Sequence, residues 1–171
     1  EGLIRIKADE RSKGAAGTAW HTDVSSEARP PSISMLRMEV VPPVGGDTLF
    51  MDMRQVFSNL SAKMQDLLKK LTARHDPVGH YLYLSGQKAL NELPSGHHPI
   101  VRQIPETGDL ALYVNEGFTR SIDGLAESES RFLLRFLFET IRANVPAQIR
   151  VKWQPHTIVF WDNRLVQHHA V

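Results

Sequence analysis

Two stretches of the chain carry apolar residues at the three- and four-residue spacing of an amphipathic helix. The first covers residues 56–71, with lysine, glutamine and aspartate on its other face. The second begins near Ala126 and ends before Pro146, and two glutamates suit the positive end of its first turn. Its predicted buried stripe consists of Phe132, Leu133, Phe136, Leu137 and Ile141. The pattern therefore predicts two long helices.

Shorter apolar or alternating stretches between turn-forming residues predict strands. They cover residues 4–6 (an edge strand), 33–41, 48–52, 100–102, 110–114, 149–153 and 157–161. The turn cluster at 42–47 makes 48–52 the return strand of 33–41, and residues 76–99 are expected to form a loop. The strand at 157–161 is too apolar to have a side that faces solvent.

The order of these elements narrows the fold class. Strands outnumber helices, and the two do not alternate regularly as they do in a doubly wound sheet. The pattern therefore predicts a mainly β protein with flanking helices, in which an antiparallel sandwich or barrel carries the helices on its outside.

Composition excludes several classes of protein. The 171 residues suit one domain, and 20 Lys+Arg against 19 Asp+Glu give a net charge of +1, which would attract neither nucleic acid nor an anionic membrane. The chain has no cysteine, so disulfides, cysteine-ligated metals and thiol nucleophiles are excluded. No apolar stretch approaches the roughly 20 residues of a membrane span. We expect a cytoplasmic protein.

The two ends predict that the domain is incomplete. The chain begins with Glu1 rather than Met, and residues 167–171 end it without a turn or a helix cap. We therefore expect a single domain over 1–171 that lacks residues at both ends, including one or more C-terminal strands.

The candidate metal ligands are the eight histidines and the carboxylates. His21 and Asp23 are two residues apart, so on an extended strand both side chains point to the same face. Such a triplet is weak evidence alone, because about 0.4 of them would occur here by chance. A third ligand from the far end of the chain, where residues 161–164 are followed by Gln167-His168-His169, would complete two histidines and one carboxylate. That set leaves positions open on Fe(II), and it also suits Zn²⁺, so spacing does not choose the metal.

Five motifs in order carry a more specific resemblance, which covers the chain from about residue 20 to 171. Together they resemble the TauD/TfdA (taurine dioxygenase-like) family of Fe(II)/2-oxoglutarate-dependent dioxygenases. The motifs are HTD at 21–23, GGDT at 45–48, HPIVR at 98–102, VNEGFT at 114–119 and WDNRLVQH at 161–168.

The resemblance implies a fold and a set of site residues. The fold is a double-stranded β-helix, or jelly roll, with the ligands at its mouth. His21, Asp23 and His168 match the iron ligands of the family, and Thr48 matches the threonine that binds the carboxylate of 2-oxoglutarate. Phe118 stands where the family has an aromatic residue at the substrate pocket, with core packing as its alternative. His168 is preferred to the neighbouring histidine, because the family pattern is Gln-His-aromatic-Ala.

The resemblance also implies the reaction. The family couples O₂ and 2-oxoglutarate to hydroxylation of a C–H bond, with release of succinate and CO₂. Asp23 indicates hydroxylation, because halogenating relatives have a small residue there to admit chloride. The substrate implied is a small anionic molecule of the sulfonate, alkyl sulfate or aryloxyalkanoate type. Taurine itself is not expected, because the asparagine that reads it has no counterpart in residues 17–20.

Two further expectations follow from the family. The arginine that pairs with the distal carboxylate of 2-oxoglutarate lies shortly after the second iron-binding histidine, so we expect it beyond residue 171. Relatives are commonly dimers or tetramers, so we expect a homo-oligomer.

Two other functions remain open at this point. A non-catalytic jelly-roll module that binds a small molecule would have lost a metal ligand, and no ligand is missing here. A zinc hydrolase with the same three ligands would need a general acid or base near the metal.

The remaining residues of note are expected to be structural. His75 pairs with its neighbour Asp76, while Arg102 and Arg164 hold carboxylates or carbonyls. The expected turn element is His97 and His98, the expected surface histidines are His80 and His156, and the expected core tryptophans are Trp153 and Trp161.

Overall fold

The computed structural model describes residues 4–7, 17–77 and 94–171. The strands of these residues are β1 (Ile33–Arg37), β2 (Thr48–Asp52), β3 (Thr72–His75), β4 (Gly96–Pro99), β5 (Val101–Gln103), β6 (Leu110–Leu112), β7 (Thr119–Ile122), β8 (Gln148–Val151), β9 (Ile158–Asp162) and β10 (Val166–Ala170). The helices are α1 (Met53–Ser58), α2 (Ala62–Leu68), α3 (Glu127–Ala143) and a 3₁₀ turn at Val145–Ala147.

The strands form four small sheets in which each strand pair is antiparallel. Their orders are β10-β2-β8, β4-β3-β7, β1-β9 and β5-β6. The segment at 17–21 continues the first sheet along the outer edge of β10, because Ala170 donates to the carbonyl of Gly17 and His21 pairs with His168. The predicted mainly β architecture is confirmed.

Strands β2 and β10 have two different faces: one faces the hydrophobic core, and the other lies on the side of the HTD motif. His168 lies opposite Phe50, and Gln167 lies opposite Met51. Because directly opposed residues of an antiparallel pair share a face, the first pair lies on one side of the sheet and the second pair on the other. Met51 belongs to the hydrophobic core, and the buried Gln167 amide donates to the carbonyl of Val114. His168 therefore faces away from the core.

Helix α3 covers the core, but with a different stripe from the predicted one. Leu133, Leu137 and Ile141 are buried as expected, and Leu134 joins them. Phe132 is 65% exposed and Phe136 is exposed as well, so their assignment to the buried stripe is wrong. The physical reason is helical geometry. A helix that packs on one side can bury only one face, and in α3 the leucines occupy that face.

The predicted helix at 56–71 is wrong as a single element. It is two short helices, because the Ser61 side chain caps α2 by accepting from the N–H of Met64. The Gln65 side chain donates to the carbonyls of Ser58 and Leu60, which satisfies backbone groups left open at the end of α1. In the part of the chain that the structure describes, none of the helices has the length and apolar composition of a membrane span.

Several predicted strands pair differently or are absent. β1 and β2 are not a hairpin, because β1 pairs with β9 while β2 lies between β10 and β8. Residues 4–7 form no strand. The region expected to be a loop at 76–99 ends in β4, and β3 and β7 were not predicted. These strands are short, and their partners lie far away in the chain, so local patterning does not reveal them.

The strand at 157–161 does have an exposed side. Ile158 and Phe160 of β9 are exposed, and Phe160 retains 65% of its accessible surface. Among the described residues, β9 pairs only with β1, so one face of this two-stranded ribbon stays open. Trp153 and Trp161 are buried, as predicted.

The two faces of α3 should respond differently to truncation. We expect Leu137→Ala to lower the free energy of unfolding by about 2–5 kcal/mol, because Leu137 is fully buried and a cavity would remain. Phe132→Ala on the exposed face is the matched control, with an expected change within about 0.5 kcal/mol. Urea unfolding of both variants measures the difference, and equal losses would contradict the assigned orientation of α3.

Candidate metal centre

Three side chains from distant parts of the chain converge at the edge of the β10-β2-β8 sheet. The ligand atoms of His21, Asp23 and His168 all lie within 4.8 Å of one another. One Asp23 carboxylate oxygen is 3.8 Å from Nε2 of His21 and 3.6 Å from Nε2 of His168. Within residues 4–7, 17–77 and 94–171, this is the one group of three or more potential ligands.

Backbone pairing explains the convergence. The N–H of His21 donates to the carbonyl of His168 at 3.1 Å, and the N–H of His168 donates back at 2.9 Å. Side chains of such a pair emerge next to each other, and the two imidazole centroids are 4.0 Å apart. Asp23 follows His21 by two residues and so reaches the same side.

The protonation of His21 suits metal binding. Its Nδ1 lies 2.8 Å from the carbonyl of Ala19, which can only accept, so Nδ1 carries the proton. The lone pair of Nε2 is then on the side of Asp23 and His168. A backbone carbonyl that fixes the tautomer of a ligating histidine is a common feature of metal sites. The Asp23 side chain is 29% exposed, which leaves one side of the cluster open to small molecules.

The backbone of Asp23 is held by Asn163, a residue that the sequence analysis did not single out. The N–H of Asp23 donates to the Asn163 side-chain oxygen at 2.9 Å, and the Asn163 amide donates to the carbonyls of Asp23 and Pro31. Asn163 is fully buried. In the sequence, only its position inside the WDNR motif indicated that Asn163 has a role. The motif does not reveal which backbone groups the Asn163 amide binds.

Aromatic rings surround His168. Its imidazole centroid is 4.8 Å from the ring of Trp161 and 5.9 Å from that of Phe50. The ring of the next residue, His169, instead lies 5.4 Å from Trp20. The structure therefore places His168, and not His169, with the other two potential ligands.

Thr48 lies on the same face of β2 as Phe50, the residue opposite His168. Its buried hydroxyl oxygen is 2.9 Å from the indole nitrogen of Trp153. An indole N–H only donates, so the Thr48 oxygen accepts, and its own proton remains to be donated to another group. A hydroxyl prepared in this way suits a carboxylate.

Phe118 is buried, and its backbone N–H donates to the side chain of Asn115. Arg164 has the carboxylate contacts expected of it, whereas the contact shown for Arg102 is with an aromatic ring. The Arg102 guanidinium lies 4.2 Å above the ring of Tyr113, and Arg164 pairs with Asp162 and a glutamate. Burial opposes ionisation of Asp162, but hydrogen bonds from Arg164 outweigh it and lower the pKa of this carboxyl.

A second polar cluster lies directly behind the HTD segment. His75 is fully buried between the hydroxyls of Ser25 and Thr119. Burial lowers the pKa of His75 to about 3, and the positive charges of nearby histidines and arginines act in the same direction.

The expected turn at His97 and His98 is wrong: both lie on β4, and the buried His98 donates to the carbonyl of Glu27. His156 is exposed as predicted, and His80 lies outside the described residues.

Comparison with known proteins gives a consistent family. The model of the family described as "Taurine catabolism dioxygenase TauD, TfdA family" matches residues 4–171. An "Alpha-ketoglutarate-dependent sulfonate dioxygenase" of Saccharomyces cerevisiae is 39% identical over 181 residues, which cover 100% of this chain and 41% of that protein.

Two further relatives have other named activities. An "Alkylsulfatase" of Acinetobacter baylyi is 31% identical and matches 93% of this chain and 53% of its own length. An "Alpha-ketoglutarate-dependent 2,4-dichlorophenoxyacetate dioxygenase" of Cupriavidus pinatubonensis is 34% identical, over 91% of this chain and 55% of its length. The chain thus spans about half the length of the curated relatives it matches.

Solved structures share the fold. A crystal structure titled as that of a putative alpha-ketoglutarate-dependent taurine dioxygenase from Burkholderia xenovorans overlaps with a TM-score of 0.78 and 36% identity, over 90% of this chain and 52% of the other. A structure of AAD-2 in complex with Mn(II) and N-oxalylglycine has a TM-score of 0.81 and 28% identity, over 91% and 62%. The overlap confirms the predicted jelly-roll fold.

His75 should make the protein sensitive to acid. The folded state keeps the ring neutral down to a pKa of about 3, whereas the ring of the unfolded chain binds a proton below about pH 6.5. As the pH falls from 6.5 toward 3, only the unfolded state gains this proton, so the free energy of unfolding decreases; above 6.5 His75 adds no pH dependence.

Urea unfolding at several pH values measures this effect. His75→Phe removes the titrating group and keeps a ring of similar size, so we expect a shallower pH dependence in the variant, although its stability at neutral pH is lower. Parallel pH profiles for the two proteins would show that His75 is not responsible.

Proposed function

This chain belongs to the TauD/TfdA family of dioxygenases, and from that premise we propose that the protein is an Fe(II)- and 2-oxoglutarate-dependent enzyme that hydroxylates a C–H bond of a small anionic organic molecule. The observation that carries the proposal is the convergence of His21, Asp23 and His168 within 4.8 Å.

The donor set fits Fe(II). Two neutral imidazoles and one carboxylate are the ligands of non-haem iron oxygenases, and they leave positions open for a co-substrate and O₂. Each described ligand has a support of its own: Ala19 fixes the His21 tautomer, Asn163 holds the Asp23 backbone, and strand β10 carries His168. A zinc hydrolase would also need a general base beside the metal, and among the described residues no fourth histidine or carboxylate belongs to the cluster.

The reaction consumes O₂ and 2-oxoglutarate, and the bound iron supplies the oxidising chemistry. One oxygen atom enters the substrate C–H bond as a hydroxyl, and the other enters succinate as CO₂ leaves 2-oxoglutarate. The protein holds the three ligands and orients the co-substrate. The aromatic rings of Phe50 and Trp161 limit the access of water to His168.

Thr48 is our candidate for the contact to the 2-oxoglutarate carboxylate. Its oxygen accepts from Trp153, so its own proton remains available for donation to a carboxylate. Its position on the face of β2 that also carries Phe50, opposite His168, supports a place for this carboxylate near the proposed metal site. Phe118 stays a predicted substrate contact that rests on the family alone.

The substrate class is supported by the named relatives. One is named for sulfonates, one for alkyl sulfates and one for a phenoxyacetate, and these compounds share an anionic group near an aliphatic C–H bond. We propose a substrate of this kind. Assembly as a homodimer or homotetramer and a cytoplasmic location are further proposals, supported by the family resemblance and by the neutral, cysteine-free composition.

Loss of the carboxylate ligand should abolish turnover. In the full-length protein, anaerobic Fe(II) with 2-oxoglutarate is expected to give the visible metal-to-ligand charge-transfer band of the chelate. Asp23→Ala should weaken this band and abolish the release of succinate, because the metal loses its one anionic ligand. Circular dichroism checks that the variant is folded.

A different outcome would identify the competing function. If the wild-type protein gave no band and retained zinc through purification, the dioxygenase proposal would be wrong and a hydrolase would be favoured.

The Thr48 hydroxyl should contribute to co-substrate affinity. We expect Thr48→Val to raise the Kd of 2-oxoglutarate by about 10- to 100-fold, as for loss of a hydrogen bond to a charged group. Thr48→Ser keeps the hydroxyl and is the matched control, with an affinity close to wild type. Calorimetric titration with Mn(II) bound measures both. Equal affinities in the Val and Ser variants would remove Thr48 from the site.

A further inference from the structure

We propose that a buried hydrogen-bond network behind the HTD segment positions the Asp23 carboxylate for the metal. The network consists of Ser25, His75, Asn115 and Thr119, and none of these residues is a metal ligand. The inference rests on the proposed function, because it takes Asp23 as the carboxylate ligand. It assigns a role to His75, which the reaction does not otherwise use.

The contacts form a closed circuit. The Ser25 hydroxyl oxygen is 3.0 Å from Nδ1 of His75 and accepts from the Asn115 side-chain amide at 3.1 Å. On the other side of the ring, Nε2 lies 3.3 Å from the Thr119 hydroxyl, which accepts from the Asn115 backbone N–H at 2.9 Å. All four residues are buried. The network therefore links Ser25 to β3, to β7 and to the VNEGFT motif.

A neutral imidazole completes this circuit in either tautomer. One ring nitrogen donates to a hydroxyl, and the other accepts from the second hydroxyl. Removing the Ser25 hydroxyl would leave a buried ring nitrogen and a buried amide of Asn115 without that partner. Because unpaired buried polar groups are costly, the circuit holds Ser25 in one place.

Ser25 is tied to Asp23 through a strained turn. Val24 has a φ of 51°, in the left-handed region that a β-branched residue rarely adopts. Such a conformation persists only where surrounding contacts enforce it. The turn is closed by the N–H of Glu27, which donates to the Val24 carbonyl at 2.9 Å. Asn163 holds Asp23 on one side of the strained residue, and the network holds Ser25 on the other.

Strand β4 supports the turn from below. His98 donates to the Glu27 carbonyl at 3.0 Å. A Cβ on Gly96 would lie 3.0 Å from the carbonyl oxygens of both Ser26 and Glu27, so the turn packs tightly against the strand and a larger residue would have to push these carbonyls away. These contacts hold the far end of the turn, at Ser26 and Glu27. We infer that loss of the hydrogen bonds of Ser25 would let Val24 move toward an unstrained conformation, which would shift Asp23.

The neighbouring serine provides a matched control. Ser25 and Ser26 are both fully buried, but the Ser26 hydroxyl has no hydrogen-bond partner among the residues that the structure describes. Ser25→Ala and Ser26→Ala therefore remove the same atom from adjacent buried positions, and only the first change breaks the network.

The experiment is a titration of the metal-free full-length protein with Co(II), followed by its visible absorption. We expect Ser25→Ala to raise the Kd of Co(II) about tenfold and to change the spectrum, as is usual when a residue that orients a ligand is lost. Ser26→Ala should bind as the wild type does. Thermal unfolding is recorded for both, because a purely structural role would lower stability without changing affinity or spectrum.

The outcomes distinguish failure of the proposed metal site from failure of the proposed positioning role. If Asp23→Ala binds Co(II) as tightly as wild type, the proposed metal site itself is wrong. If Asp23→Ala loses binding but Ser25→Ala and Ser26→Ala are alike, the metal site stands and the positioning role is wrong. Should Ser25→Ala fail to fold, Ser25→Cys fills the space with a weak donor and is expected to lose affinity in the same direction; wild-type affinity in that variant would overturn the proposal.

Discussion

The candidate metal centre depends on one pair of backbone hydrogen bonds, those that His21 and His168 exchange along the outer edge of the β10-β2-β8 sheet. The pair fixes the distance between the two imidazoles, because residues opposed in an antiparallel ladder present neighbouring side chains. Asp23 follows His21 by two residues and reaches them from the start of a turn. The β2 strand completes the same face with Thr48 and Phe50, so one strand register places the candidate ligand His168 and the residues around it.

The geometry around Asp23 includes features that lower the stability of the folded state. A β-branched residue adopts a left-handed conformation next to Asp23, and a histidine is buried without charge behind it. Both features cost free energy in the folded state. The hydrogen bonds of Asn163, Ser25 and Asn115 offset that cost and confine the Asp23 backbone from both sides. The buried hydrogen bonds behind Asp23 contrast with the other side of the cluster, where the Asp23 carboxylate is partly exposed.

Sequence reasoning worked where the determinants are local. The amphipathic period and the acidic first turn predicted α3, and turn residues between two apolar runs predicted the β5-β6 hairpin. It failed where distant contacts decide. The leucine stripe of α3, rather than Phe132 and Phe136, faces the core, and the apparent hairpin of β1 and β2 is divided between two sheets. The caps of Ser61 and Gln65 also outweighed a continuous helical pattern.

By itself the sequence determined the family, the mainly β class and the identity of the candidate ligands, because ordered motifs of fixed residue types are properties of the chain alone. Tertiary structure decided which groups stand behind those ligands. The sequence does not reveal the roles of Asn163 and His75, because the role of an amide or an imidazole depends on the backbone group or hydroxyl that folding places opposite it. Hydrogen bonds act over a few ångströms, and that proximity between distant segments exists only in the folded chain.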